Sequence, residues 1–392
     1  MKKKKKEKKS KKTFIILGVI ILLVIGILLY RIYGTIFRKV EVNNNKSISY
    51  SNKLLQEMYN KENNSLVSDL TLNTNLAFFY SEGNEKVKNE LQSYLNIDKD
   101  TLISNYNSIY DRYRFANKRV AYGNSLWIND NTEDCSKESK ITAKELHFDI
   151  KHRNFNNNTK NEINRWINKK SHGKVKNAID EDISRNQSIL ISTLYFNEKW
   201  KEKYEDKDII TETFHGTLGN TQQEFLSSEE EIYLEDNTSK GFMKPYKDDG
   251  LYFVGIIPKE NYSLEDINIE SLMKHRSNDK VQVRIPEFEY EQTIDLEELL
   301  KKMNINSIFE RGNLDSITSD LYVTKFIQKN YIKVDRKGTE AVSVTHTINS
   351  QWSSISSAKE VYLDKPFIFM IYDDAIDQVL FIGNVNNIEK ES

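Results

Sequence analysis

The feature that most constrains this chain is an uncharged apolar run, Phe14 to Tyr30, directly behind a cluster of lysines. Nine of the first twelve residues are Lys. Seventeen helical residues span about 25 Å, the lower limit for crossing a bilayer. Because positively charged flanks stay in the cytoplasm, we predict a single-pass cell-membrane protein. Its parts are a cytoplasmic tail (1–13), a transmembrane signal-anchor helix (14–33) and an extracellular remainder.

A cleaved signal peptide is the alternative interpretation of this run. No small-x-small cleavage pattern follows it, since the chain continues as Tyr30-Arg31-Ile32-Tyr33. Aromatic rings at these positions suit the far membrane interface. No Cys follows the run directly, as a lipoprotein anchor would require. The sequence therefore favours an anchor that is not removed.

The remainder is predicted to be a short Asn-rich tether (34–47) and one domain (48–392), because no Pro/Gly/Ser-rich linker or repeat interrupts it. A net charge of −1 argues against nucleic-acid binding, and the single cysteine excludes an intrachain disulfide. Abundant Lys, Asn and Ile are typical of an AT-rich bacterial genome. Apolar periodicity predicts helices first and strands later, which indicates an α+β fold. The helices are expected at 48–60, 72–95 and 159–170, and the strands at 188–196, 251–258, 281–290, 326–335, 366–373 and 378–385.

Enzymatic motifs are incomplete in this chain. Ser356 and Lys359 fit an S-x-x-K pattern, but the S-D-N and K-T-G elements that accompany it in transpeptidases are absent. The six histidines lack metal-ligand spacing, and Cys135 has no neighbour that would activate a thiol. We expect no catalysis, no metal and no cofactor.

A basic stretch with interleaved aromatics, Arg112 to Phe115 followed by Lys118 and Arg119, admits two interpretations. It could bind a polyanion, or it could form an ordinary solvated helix face. The second is favoured.

The segment between the predicted strands 326–335 and 366–373 is long, and it is rich in Ser and Thr. Long segments without structure inside compact domains are usually functional. Alternate positions are small or modest and uncharged, whereas the positions between them carry charged and branched residues. This is the period of a strand, so the segment is expected to be able to become one. The first set is Thr339, Ala341, Ser343 and Thr345, and the second is Glu340, Val342 and Val344.

These residues resemble the reactive-loop hinge of the serpins, in which Gly-Thr-Glu-Ala precedes a Ser/Thr-rich loop and a Lys-Pro-Phe strand. Other stretches resemble serpin motifs in the family's order. They are 163–167 with 173–175, 194–196 with 199–200, 245–246 with 256–258, 285–288, 321–323 and 380–385. The resemblance implies helices packed around a large central mixed sheet with two smaller sheets. It also implies an exposed reactive loop at about 338–360.

The resemblance further implies a suicide-substrate inhibitor of serine, or cysteine, endopeptidases and a monomer. In this mechanism a protease cleaves the loop and is trapped as an acyl-enzyme while the loop inserts into the central sheet. The hinge would be Gly338 to Thr345. Counting from Gly338 places the reactive bond at Trp352–Ser353, with Ile355–Ser356 as the alternative. Trp352 suits a chymotrypsin-like or papain-like target. A non-inhibitory binding or chaperone serpin is the other possibility.

Two departures from the family pattern concern the sheet itself. In most serpins, a Glu two residues before the hinge Gly pairs with a Lys that follows the proline of the Pro-x-Phe strand. Here those two positions hold Arg336 and Glu287, so an ion pair of reversed polarity is expected. The polar cluster beneath the sheet, the shutter cluster, would consist of Ser68, Thr71, Ser192 and Gln328. Asp69 replaces the family's Pro there. Trp200, where insertion begins, is retained.

Overall fold

A computed structural model describes residues 18–27, 39–114, 119–130, 133–176, 178–247, 250–339 and 359–389. Residues 18–27 are helical. No helix within the described residues is long and apolar enough to cross a membrane. The remainder of the predicted span 14–33 lies outside those residues.

The helices are distributed along the first three quarters of the chain, and most of them start at polar caps, as their sequences favour. Ser68 caps α3, Asn84 caps α4 and Asp98 caps α5 through side-chain oxygens that accept backbone N–H groups. The helices are α1 (18–27), α2 (Ser47–Met58), α3 (Asp69–Glu82), α4 (Glu85–Leu95), α5 (Lys99–Tyr113), α6 (Lys137–Glu145), α7 (Asn157–Lys170), α8 (Ile269–Lys274) and α9 (Leu296–Lys302).

The strands range from two-residue pieces to the twelve residues of β7. They are β1 (Ser65–Val67), β2 (Val120–Asn129), β3 (Phe148–Arg153), β4 (Ser188–Phe196), β5 (Glu198–Lys199), β6 (Ile209–Gly216), β7 (Gly219–Glu230), β8 (Ile232–Glu235), β9 (Ser239–Pro245), β10 (Leu251–Pro258), β11 (Arg276–Ser277), β12 (Val281–Pro286), β13 (Phe288–Asp295), β14 (Phe326–Asp335), β15 (Gly338–Thr339), β16 (Lys359–Tyr362), β17 (Phe367–Asp373) and β18 (Gln378–Val385).

Three sheets organise the described residues. The central sheet runs β3-β2-β4-β14-β13 and carries the short strands β15 and β5 at one end, between β14 and the end of β4. A four-stranded sheet has the order β16-β12-β7-β6, and the third sheet has the order β1-β18-β17-β10-β9-β8-β11. The predicted α+β architecture with three sheets is confirmed. The third sheet, however, has as many strands as the central one and is not smaller.

Two predicted elements are divided in the structure. The helix expected over 72–95 breaks at Gly83, because Asn84 starts a new helix by capping α4. The strand expected over 281–290 divides at Glu287, and its halves join different sheets. Pro286 has no N–H to give to a ladder, so a strand end suits it.

The core lies between the central sheet, the helices and the third sheet. Four strands span the residues that were predicted, namely 188–196, 251–258, 326–335 and 378–385. Every residue of β4 and of β18 is buried, as their continuous apolar runs require. Helix α7 packs Ile163, Trp166 and Ile167 against the outer face of the central sheet. This arrangement fixes β4 and β14 side by side.

Candidate functional site

The candidate site is the seam between β4 and β14 at the centre of the sheet. The two strands pair directly and in parallel over four residue pairs, from Phe326 opposite Leu190 to Lys329 opposite Thr193. Beyond these pairs, Gly338 and Thr339 form the short strand β15. It lies between β14 and β5 and is antiparallel to both. The first two hinge residues therefore already form a short strand at the open end of the seam.

Gly338 holds its place because it has no side chain. Its φ is +151°, and an added Cβ would lie 2.2 Å from the carbonyl oxygen of Glu198. Such a contact is far shorter than van der Waals separation. The hinge glycine inferred from the sequence is thus required by a close approach of two backbones.

Thr339 is 1% exposed, and its hydroxyl shares a 2.5 Å hydrogen bond with the phenol of Tyr246. It lies opposite Val334 on β14 and Glu198 on β5. Burial raises the pKa of Tyr246 well above its ordinary value, so the phenol remains protonated and can donate or accept. The inward position at the start of the seam accepts a small side chain with one polar atom.

Trp200 lies beneath the hinge and is 1% exposed. Its indole Nε1 donates to the carbonyl oxygen of Asp335 at 2.9 Å, where β14 ends. The indole ring stacks on Tyr246 with a centroid separation of 4.7 Å and an interplanar angle of 8°. Trp200 therefore ties the end of β14 to the tyrosine that contacts Thr339.

A buried ion pair supports these rings, and the sequence did not indicate it. Lys244 Nζ lies 2.6 Å from Glu230 Oε1, and both side chains are less than a tenth exposed. Burial alone would lower the pKa of Lys244, but the Glu230 carboxylate holds it above its ordinary value. Lys244 Nζ also lies 4.5 Å from the ring centroid of Tyr204 and 5.4 Å from that of Trp200. A lysine directly after the apolar pair Phe242 and Met243 in β9 was the available signal.

The predicted pair of reversed polarity is present as a contact. Arg336 Nε lies 3.5 Å from Glu287 Oε1, and the Arg336 backbone N–H donates to the same oxygen at 2.8 Å. Burial raises the pKa of Glu287. Arg336 also reaches Glu224 at 2.6 Å and Asp206 at 3.3 Å. One guanidinium thus contacts three carboxylates at the turn that leads into the hinge.

The shutter cluster brings together three of its four predicted members. Gln328 Nε2 donates to the carbonyl oxygen of Ser68 and to Thr71 Oγ1, both at 2.9 Å. Gln328 Oε1 accepts the Ser68 backbone N–H at 2.8 Å. Ser192 is buried beside them, but its Oγ has no hydrogen-bond partner among the described residues. Glutamine therefore links β14 to the start of α3, and Ser192 stands outside that network.

Asp69 follows the capping Ser68 and is 1% exposed. Ser47 Oγ donates to its Oδ2 at 2.7 Å, and burial raises the pKa of Asp69 to about 8. No cation of the described residues pairs with it. An ionisable carboxyl group therefore lies directly behind the shutter cluster.

The solvated-face interpretation of the basic stretch is wrong for Arg112 and Tyr113. Both are buried, and both bind Asp373. Arg112 Nε and Nη2 donate to its two oxygens at 2.5 and 2.9 Å, and the Tyr113 hydroxyl donates at 2.7 Å. The error arose because Asp373 is 261 residues away in the chain, where no local pattern reveals it.

Cys135 is a free, buried thiol whose Sγ lies 3.4 Å from His152 Nε2. Burial raises its pKa to about 11, whereas a nucleophilic cysteine has a lowered pKa. Among the described residues no three His, Cys, Asp or Glu side chains could hold a metal ion. The remaining predicted loop residues lie outside the described residues; they are Glu340, Ala341, Val342, Ser343, Val344, Thr345, Trp352, Ser353, Ile355 and Ser356.

Comparison with known proteins agrees with this architecture. The serpin (serine protease inhibitor) family matches residues 43–388. An uncharacterised serpin-like protein of Methanosarcina acetivorans is 29% identical over 85% of this chain and 83% of its own length. One of Thermococcus kodakarensis is 25% identical over 86% and 84%. Human serpin B3 is 22% identical over 83% and 94%.

Solved structures give the same result. The thermophilic serpin tengpin in its native state superposes with a TM-score of 0.82 at 25% identity, over 89% of this chain and 96% of that one. Tengpin in its latent state gives a TM-score of 0.74 at 24% identity, over 87% and 96%. With the family matching most of the sequence and the fold agreeing, this chain belongs to the serpins, a family of serine protease inhibitors.

Proposed function

We propose that this protein is a suicide-substrate inhibitor of extracellular serine endopeptidases. A target protease attacks the loop, about 338–360, and becomes esterified to it. The cleaved loop then enters the central sheet between β4 and β14 and moves the protease with it. The nucleophilic serine belongs to the protease, so the inhibitor itself requires no catalytic residue.

The observation that carries this proposal is the position of the hinge. Gly338 and Thr339 already form strand pairs on both sides of the seam. Beyond them, β4 and β14 remain joined by the pairs from Leu190–Phe326 to Thr193–Lys329. Continued insertion exchanges those pairs for two new ladders along a longer strand. Backbone hydrogen bonds gained in this exchange would supply part of the driving force.

The surroundings of Thr339 support insertion of this loop. A charged side chain at this buried position would lose its hydration without gaining a partner, which is costly. Ala341, Ser343 and Thr345 continue the same face of the strand with small, uncharged side chains. The loop sequence is therefore compatible with insertion.

The target preference follows from the residue before the reactive bond. Cleavage at Trp352–Ser353 would place a large aromatic side chain in the protease S1 pocket, as chymotrypsin-like enzymes prefer. A papain-like cysteine protease with tolerant specificity is a second target class. Ile355–Ser356 is the alternative bond.

The N-terminal apolar run supports a position at the cell surface, which is part of this proposal. An anchor at 14–33 with a Lys-rich cytoplasmic tail leaves the domain outside. An inhibitor tethered there would protect the cell envelope from proteases that reach it.

A titration tests the proposal. The full chain in mild detergent is added to fixed amounts of chymotrypsin-like, elastase-like, subtilisin-like and papain-like proteases. At least one protease should lose its activity in proportion to added inhibitor, reaching zero near one equivalent. Thr339→Arg should abolish this loss while the loop is still cut, whereas Thr339→Ser should retain it. If all four proteases cut the loop and remain active, the protein is a binding or chaperone serpin and the proposal is wrong.

A further inference from the structure

Charge is unevenly distributed along this chain. Residues 1–47 hold 13 of the 57 Lys and Arg residues and 2 of the 58 Asp and Glu residues, which leaves 44 cations and 56 carboxylates, a net charge of −12, in residues 48–392. Residues 157–176, which form α7 and the turn after it, have the opposite sign, with six Lys and Arg residues and one carboxylate. That carboxylate, Glu162, pairs with Lys151 and Arg153 of β3. A positively charged surface therefore lies on a negatively charged domain.

The outer face of α7 carries two cations at helical spacing. Arg165 and Lys169 are exposed and four residues apart, so they lie next to each other on the side opposite the buried Ile163 and Ile167. No carboxylate of the described residues pairs with either cation. Like charges at this spacing destabilise a helix, whereas α8 and α9 place Lys and Glu there, in contact. The arrangement on α7 costs the helix stability, which favours a role in binding an anionic partner.

Two further lysines extend this surface at the end of α7. Lys170 Nζ lies 5.6 Å from the ring centroid of Trp166. Asn168 Nδ2 donates to the Val175 carbonyl oxygen at 3.0 Å, so the chain turns back along the helix and brings the exposed Lys176 beside it. Neither lysine has a carboxylate partner in the part of the chain that the structure describes. The α7 basic face consists of Arg165, Lys169, Lys170 and Lys176.

The N-terminal segment joins the domain nearby, at α5. The Asn43 backbone N–H donates to Asn105 Oδ1 at 2.9 Å, and Asn105 Nδ2 donates to the Asn43 carbonyl oxygen at 2.7 Å. Val40 and Val42 pack against the core. The six residues 34–39, between the predicted anchor and Val40, span at most about 20 Å. An anchored domain would therefore lie close to the bilayer.

Helix α5 connects this entry point to the α7 basic face. Tyr110 lies five residues beyond Asn105, roughly 7.5 Å along the helix axis. Its ring packs edge-on against Tyr122 of β2, with a centroid separation of 6.0 Å. The side chain of Lys170 lies against Gly123, the next residue of β2, where an added Cβ would be 2.9 Å from Lys170 Cδ. The entry point of the chain and the basic face thus both adjoin α5.

We propose that the α7 basic face binds the anionic headgroups of the membrane in which the chain is anchored, so that the domain stands in one orientation. This inference rests on the proposed cell-surface anchor. The apolar residues of α7 are packed against the central sheet, so the contact is electrostatic and involves no insertion of this helix. The rest of the domain, which is acidic, is repelled by the same headgroups.

The strength of this contact depends on the anchor. Four Lys or Arg side chains at an anionic surface give a dissociation constant of about 1 mM, which is too weak to recruit a free domain. A short tether supplies an effective concentration that is also about millimolar, so about half of the anchored domains would be engaged. Neutralising two of the four cations raises the dissociation constant about thirty-fold and leaves only a small fraction engaged.

The test uses the full chain in phosphatidylcholine vesicles, with or without phosphatidylglycerol. A fluorophore is attached at Asn161→Cys, on the outer face of α7, in a Cys135→Ala background. A nitroxide on the lipid headgroups quenches the fluorophore at short range. Glu270→Cys is the reference position, since it lies on α8, which packs against α2 and the third sheet.

Two double variants with the same change of charge are compared. Arg165→Gln with Lys169→Gln removes half of the basic face. Lys301→Gln with Lys302→Gln removes two cations from α9, where carboxylates already pair with both. Flotation with the vesicles shows in each case that the chain is anchored, and circular dichroism shows that it is folded.

Phosphatidylglycerol should increase quenching at position 161 several-fold and leave position 270 unchanged. High salt should remove the increase, because it screens exposed charges. Arg165→Gln with Lys169→Gln should also remove it, whereas the α9 variant should retain it. Equal quenching in both lipids, or an increase that survives the α7 substitutions, would overturn the inference while the anchor stands.

Two other outcomes reassign the surface or remove its basis. If added polyphosphate changes the fluorescence at position 161 and the lipid does not, the basic face binds a soluble phosphate polymer and the membrane partner is wrong. If the chain does not float with the vesicles, the anchor and this inference fail together, whereas protease inhibition is unaffected.

Discussion

Asp69 should make the stability of the native protein fall as pH rises. Burial raises its pKa from 3.8 to about 8, so between these values the folded protein keeps a proton that the unfolded chain releases. The unfolded state then binds fewer protons, and the free energy of unfolding decreases with pH. The pH window runs from about 4, where the unfolded chain loses the proton, to about 8, where the folded protein also loses it.

The expected size follows from the same numbers. Each pKa unit corresponds to about 1.4 kcal/mol, and from pH 6 to pH 8 the linkage removes about 2 kcal/mol. The unfolding entropy of a domain this long is roughly 0.7 kcal/mol/K. Asp69 should therefore lower the unfolding midpoint by about 3 °C between pH 6 and pH 8.

Asp69→Asn should remove this part of the pH dependence, because the amide does not ionise. Its absolute stability at pH 6 will change as well, so the comparison is between slopes. The groups that face Asp69 are Ser47 and Ser51 on α2 and three tyrosines, Tyr50 on α2, Tyr94 on α4 and Tyr106 on α5. Burial raises the pKa values of all three tyrosines most, and the Asp69 charge adds to each rise, so none of them titrates in this window.

The assay is thermal unfolding at pH 6, 7 and 8 for the parent, Asp69→Asn and Asp98→Asn. Asp98 is an exposed helix cap whose pKa is lowered by the hydrogen bond that it accepts from the Thr101 backbone N–H. It is ionised throughout the window, so its variant should keep the parent slope. Equal slopes in Asp69→Asn and the parent would show that the folded protein does not keep a proton on Asp69 in this window.

Two further substitutions test other contacts. Gly338→Ala should displace the hinge, because the added Cβ would overlap the Glu198 carbonyl oxygen; faster amide hydrogen exchange at Thr339 would show it, and unchanged exchange would contradict it. Arg112→Met should lower the free energy of unfolding by about 3–5 kcal/mol by leaving a buried carboxylate uncompensated. Arg114→Met, which removes a half-exposed ion pair, should cost at most about 1 kcal/mol; equal losses in urea unfolding would refute the distinction.

Apolar periodicity predicted the positions of the helices and strands that bury a whole face. The boundaries of β4 and β14 were predicted to the residue because each is a run of strand-forming residues with clear ends. The break between α3 and α4 was harder to predict. Their helical patterns are continuous, and only Gly83 and the capping Asn84 separate the two helices.

Within the candidate site, the sequence identified residues that contact the backbone of neighbouring strands. Gly338 and Trp200 were selected by position in a motif, and the structure places both at the end of β14. One ion pair between strands of different sheets was missed. Lys244 and Glu230 belong to different sheets, and nothing in either strand identifies the other as its partner.

The buried amide oxygen of Asn330, which has no hydrogen-bond partner among the described residues, was also beyond the reach of sequence reasoning. Whether a buried amide is satisfied depends on three-dimensional neighbours, here Leu66 and Gln328. The alternation in the loop was readable from the sequence.

Covalent trapping of a protease by the loop can be observed on a denaturing gel. The full chain is incubated with a protease that the titration shows to be inhibited, boiled in detergent and separated, and the released peptide is identified by mass. A trapped protease should give a stable band at the mass of the protease plus the inhibitor lacking its released segment, together with a peptide that begins at Ser353. A released peptide without such a band would show that the loop is only a substrate and that the protein is not a covalent inhibitor.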